Sequence, residues 1–126
     1  MRRLTFLLTI LVAMGAGLKA NAQEQVPKEL LLSTLNGVAT LKFENDQVTQ
    51  LMDYNKGFVD EVYAVLDSDR EEKRKKESLS ALSVKRESDL HDFLSKKETK
   101  KYLKLMEEEL HPLVKKDKLL KQIAKY

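Results

Sequence analysis

Cysteine and tryptophan are absent from this chain, proline occurs twice, histidine twice and glycine four times in 126 residues. Without cysteine there is no disulfide, no thiol nucleophile, no thiolate metal ligand and no lipid-bearing Cys at the end of a leader. Gly15 and Gly17 lie near the start, which leaves Gly37 and Gly57 for everything after it and no glycine-rich loop to cradle a phosphate. Ser78, Ser80, Ser83, Ser88 and Ser95 fall in helix-like or capping sequence, with no glycine-flanked elbow to expose one as a nucleophile. With 20 acidic residues in the chain, pairs of carboxylates arise by chance and mark no acid–base centre. No enzyme is identified, and no cofactor is expected.

What is present begins with Arg2 and Arg3, an apolar stretch from Leu4 to Leu18, and Ala20-Asn21-Ala22 before Gln23. That order of basic, apolar and small-x-small residues is expected for a secretory signal peptide over residues 1–22, cleaved after Ala22, with a soluble product beyond the inner membrane. An apolar run of about 15 residues falls short of the roughly 20 that span a bilayer, so a membrane anchor ranks behind cleavage. Losing Arg2, Arg3 and Lys19 lowers the basic count from 23 to 20 against 20 acids. A chain near neutrality lacks the cationic surplus of nucleic-acid binders, so no nucleic-acid partner is expected.

The remaining pattern is helical. Pro27 ahead of Lys28-Glu29-Leu30-Leu31-Leu32, with Gly37 behind, predicts a short helix of about ten residues or, equally, a mobile apolar arm within residues 23–42. From Val48, apolar residues at Leu51, Met52, Phe58, Val59, Val62, Val65 and Leu66 recur every three or four positions, with Asn55 interrupting them; this predicts a helix of about 22 residues. Gly57 inside it suggests a bend or a close contact. Ser68, with Glu71 three residues on, has the form of a capping box opening a second helix after a tight turn. That helix starts with the wholly charged run Glu71 to Glu77 and regains its apolar stripe at Leu79, Leu82, Leu90 and Phe93, where Arg86 stands in place of a leucine. A better box, Leu94-Ser95-Lys96-Lys97-Glu98, opens a third helix carrying Tyr102, Leu103, Leu105, Met106 and Leu110. His111-Pro112 breaks it. The segment Leu113 to Tyr126 is expected to be short and frayed. Phe43-Glu44-Asn45-Asp46-Gln47 repeats the capping device, with Glu44 or Asn45 at the cap and Gln47 returning. The expectation is an all-α domain over residues 43–126: an elongated antiparallel hairpin or bundle of three main helices with short terminal helices.

Charge is unevenly spread, with 3 bases against 9 acids in residues 23–69 and 10 against 5 in residues 94–126. Acidic and basic helices laid side by side would attract within one chain or across an antiparallel dimer; the plainer reading is solvated faces whose pairs are worth a few tenths of a kcal/mol each. Glu87 with His91, and Glu107 with His111, could each offer two metal ligands from one helix face, but no further histidine or cysteine completes a zinc set. Surface ion pairs are the expected role, and no metal. The lysines and leucines of the last helices could lie on an anionic bilayer, although such a stripe is more commonly the packed side of a bundle helix, so a membrane surface ranks behind protein partners.

Two boxes about fifty residues apart, Phe43-Glu44-Asn45-Asp46-Gln47 and Leu94-Ser95-Lys96-Lys97-Glu98, in a secreted, cysteine-free, all-helical chain, resemble the Spy/CpxP-like family of periplasmic proteins, whose repeated L-T-x-x-Q sequence opens two helices. The resemblance covers about residues 43 to 110. Neither box here has the threonine, and the second ends in Glu98. The resemblance implies a periplasmic, bent helical hairpin, often paired as a cradle-shaped homodimer, with ATP-independent chaperone or envelope-stress functions and metal sensing in some relatives. Unfolded or envelope proteins would be the partners, held on a concave face for which Leu51, Met52, Phe58, Val62, Leu82, Phe93, Tyr102 and Met106 are the candidates. The same residues suit a buried core equally well. The alternative is a secreted helical structural or interaction protein with a dedicated partner and no chaperone activity.

Overall fold

In the computed structural model, residues 25–125 are described, so the leader expected over residues 1–22 lies outside them. Among the described residues there are six α-helices, two 3-10 turns and no strand. The chain is all-α.

Helix α1, Lys28–Leu35, starts behind Pro27, whose extended backbone (φ −61°, ψ 142°) is pre-set for entry into the helix, and carries Glu29 in its first turn. Leu31 and Leu35 are fully buried, so these leucines form a docked helix and not a mobile arm. A 3-10 turn, Ala39–Leu41, then leads to Lys42, which adopts the left-handed conformation (φ 57°) that reverses the chain. Helix α2, Asn45–Leu66, takes Glu44 as its N-cap. A side-chain Cβ placed on Gly57 would meet nothing within 4 Å. The close contact expected there is absent, because the glycine faces outward.

The turn after α2 differs from its sequence reading. The Ser68 hydroxyl donates to the Val65 carbonyl at 2.7 Å, and Lys75 Nζ donates to the Leu66 carbonyl at 2.7 Å. Ser68 therefore closes α2 instead of opening the next helix. Helix α3, Glu72–Leu90, begins four residues later with Glu71 as N-cap and no side-chain cap bond, so the Ser68–Glu71 box does not form. Its first turns stand in solvent, where Lys76 and Glu72 pair at 3.6 Å.

Helix α4, Lys96–Glu109, opens at Ser95. Pro112 in the first turn of α5, His111–Lys116, separates the two helices. The rest is ordered rather than frayed: a 3-10 turn, Lys118–Leu120, capped by Asp117 accepting from the Leu119 amide at 3.1 Å, then α6, Lys121–Ala124. Leu113, Leu120, Ile123 and Ala124 are all core residues. Leu113 lies on α5, Leu120 in the 3-10 turn and Ile123 and Ala124 on α6, so each short element commits apolar residues to the core.

The α2–α3 hairpin is the framework. Helix α1 packs on α2 and α4, and α6 with its preceding turn packs on α3. The short helices at the two ends of the described residues are thereby docked on the longer ones. Burying Leu31, Leu35, Leu120 and Ile123 stabilises this docking by roughly 1.5–3 kcal/mol per side chain.

Candidate functional site

The eight residues proposed from sequence for client contact do not form one exposed face. Leu51, Phe58, Val62, Tyr102 and Met106 are core side chains, none more than 2% exposed. Leu82 and Phe93 are half-buried and pack against that core. Met52 alone is open, at 45%. The stripe from α2 is spent in the core, packed chiefly against α1 and α3.

The capping residues come together in a way the sequence did not disclose. At α4, the Glu98 amide donates to Ser95 Oγ at 3.0 Å and the Ser95 amide donates to Glu98 Oε1 at 2.8 Å. At α2, the Glu44 amide donates to Gln47 Oε1 at 3.0 Å. The Gln47 amide nitrogen then crosses to the other box, donating to Glu98 Oε1 at 3.0 Å and to the Phe93 carbonyl at 3.2 Å. Two helix starts are thus locked to each other. The Ser95 amide, with Gln47 adding to it, holds the Glu98 carboxyl below its ordinary value.

Between the helices lies a buried polar group built on Asn55, Tyr102 and Arg86. Asn55 Nδ2 donates to the Leu35 carbonyl at 3.1 Å and to Asn36 Oδ1 at 2.8 Å, and the Tyr102 hydroxyl donates to the same Leu35 carbonyl at 2.8 Å. These bonds satisfy the open carbonyl end of α1. Arg86, 2% exposed, lays its guanidinium 4.7 Å from the Phe58 ring centroid and donates through one terminal nitrogen to the Ile123 carbonyl at 2.8 Å. Its Nε and other terminal nitrogen have no protein partner, nor does Asn55 Oδ1. Burial pushes the Arg86 pKa down and the Tyr102 pKa up to about 12. Asn55 and Arg86 were visible in the sequence only as interruptions of apolar stripes. Asp117, buried with its pKa raised by desolvation, gave no signal.

Glu87 and His91 line one groove with Lys96, Lys97 and Lys100, and Glu107 and His111 line another with four lysines. Ammonium groups beside each pair oppose the binding of a cation. Among the described residues, no three metal-ligating side chains gather around one point. No ion pair of the described residues joins the acidic segment 25–69 to the basic segment 94–125; the pairs found are Lys28–Asp60, Lys76–Glu72 and Lys85–Asp89. No helix of the described residues is long and apolar enough to cross a membrane. Comparison with family models, with curated proteins and with solved structures gives no match for this chain.

Proposed function

We propose that this chain is a non-catalytic helical protein of the cell envelope that acts by binding a dedicated protein partner through its charged exterior. The observation that carries the reading is the burial of Leu51, Phe58, Val62, Tyr102 and Met106 in the chain's own core. An adaptable holder of unfolded clients needs an apolar surface, and large exposed patches are what mark such surfaces. Here the described exterior offers only isolated large apolar side chains: Leu30 at 39%, Met52 at 45% and Val84 at 73% exposed. Those three are the support left for the chaperone reading suggested by the paired capping boxes. The envelope location rests on the leader-like residues 1–22.

The test is aggregation of a denatured reporter protein, followed by light scattering with the purified chain at stoichiometric amounts and no ATP. Helix content is checked by circular dichroism and size by exclusion chromatography. The expected result is a folded protein that leaves the scattering trace unchanged. Suppression lost in Met52→Lys would reinstate the chaperone reading and place its surface on the exposed side of α2.

A further inference from the structure

We propose that the groove formed by the end of α4, α5 and α6 binds a ligand carrying two or more phosphate groups. The groove has a volume of about 540 Å³ and is lined by His111, Lys115, Lys118, Lys121 and Lys125, with Glu107 its one carboxylate among the described residues. Its size falls in the range of small-molecule sites, roughly 300–1,000 Å³. The fold explains the convergence. Leu113, Leu120 and Ile123 turn into the core, and a helix that commits its apolar positions inward must turn the intervening ones outward. Lys125, the C-cap of α6, donates its amide to the Lys121 carbonyl at 3.1 Å, and both residues line the groove. Val114 and Ala124 supply the apolar part of the lining.

Three features point to a polyanion. None of the four lysines forms an ion pair among the described residues. Four like charges around one groove repel one another, and an anion of several charges relieves all of them together, whereas a single carboxylate relieves one. The basic cluster is also local, since the chain beyond the leader-like segment has as many acids as bases. Lysine ammoniums bind phosphate oxygens as point charges, without the paired geometry arginine would impose. Leu113 and Leu120 are buried, so the groove presents mainly charge at its mouth. The ligand is a soluble oligophosphate or the headgroup of a lipid that carries two or more phosphates. This inference is independent of the proposed protein-binding role.

The test uses two probes at low salt, about 50 mM, where such contacts are least screened. Tripolyphosphate is titrated calorimetrically into the protein, and vesicles of cardiolipin, whose headgroup carries two phosphates, in phosphatidylcholine are used in a flotation assay. The double variant Lys118→Glu/Lys121→Glu is compared with Lys96→Glu/Lys97→Glu, which changes the net charge equally outside the groove. Lys118→Gln/Lys121→Gln serves if the charge reversal fails to fold. The expected result is saturable binding of at least one probe, weakened about tenfold or more by the groove variant and little by the control. Tripolyphosphate alone would identify a soluble ligand, and vesicles alone a headgroup. Absence of binding to both probes, or equal weakening by both double variants, would overturn the proposal.

Discussion

The contact between the two helix starts has a measurable energetic signature. Gln47 makes three side-chain bonds, one accepted from the Glu44 amide and two donated, to the Phe93 carbonyl and to Glu98 Oε1. At the low end of about 0.5–1 kcal/mol for partly solvated bonds, Gln47→Ala should cost about 2 kcal/mol. Ser95→Ala, which removes only the cap of α4, should cost about 1 kcal/mol. Glu98→Ala removes the bond from the Ser95 amide as well as the one from Gln47. The double variant Gln47→Ala/Glu98→Ala should then be less damaged than the sum of the singles, by a coupling of about 0.5–1 kcal/mol. Urea unfolding followed by circular dichroism gives all four corners of the cycle. The sign of its pH dependence is fixed: the Ser95 amide lowers the Glu98 pKa, so this stabilisation is complete above the ordinary glutamate value and disappears as pH falls through the lowered one. Wild type and Glu98→Ala should therefore converge on acidification. Additive costs at neutral pH would refute the interlock and leave two unconnected helix caps.

Two other substitutions probe the interior and the surface. Arg86→Met keeps most of the volume while removing a buried cation with two unpartnered nitrogens. Desolvation relief of several kcal/mol offsets a charged hydrogen bond of about 1.5–3 and a cation–π contact of about 2, so its unfolding free energy should stay within about 1 kcal/mol of wild type or rise. Arg86→Ala, which leaves a cavity, should lose about 3 kcal/mol, and equal damage from both would show that the guanidinium is fully compensated. Gly57→Ala should raise stability by about 0.5–1 kcal/mol because the new methyl enters open space within a helix; a lower melting midpoint would contradict that geometry.

The helices were legible where one local rule governed them. The spacing from Leu51 to Leu66 and the Ser95–Glu98 pair locate α2 and the start of α4 because periodicity and capping are contacts within one turn. Ser68 and Glu71 satisfy the same local pattern, yet the Ser68 hydroxyl donates back into the last turn of α2 and α3 starts only at Glu72, with Glu71 as its N-cap. A pattern lists the bonds a side chain can make, and where the backbone actually enters the helix decides which of them form. The candidate surface failed for a different reason. Whether Phe58 and Tyr102 are presented or buried depends on α1, whose run Leu30-Leu31-Leu32 suits a docked helix and a mobile arm alike, and on α6, four residues whose apolar members are Ile123 and Ala124 and too few to show a period. Arg86 and Asn55 appeared only as breaks in a stripe, because their partners, Ile123 and Leu35, are 37 and 20 residues away.

The carbonyl end of α1 has an implication for the order in which this fold is completed. A helix of eight residues is marginal in water by itself. The groups that satisfy the Leu35 carbonyl come from Asn55 and from Tyr102, the latter 67 residues further along the chain. First among the described helices, α1 thus has its cap completed late, since closing the long loop to Tyr102 precedes that bond's reward. A chain that appears from its N-terminus can dock residues 28–35 on α2 early, but it completes the Leu35 cap only once the third long helix has arrived.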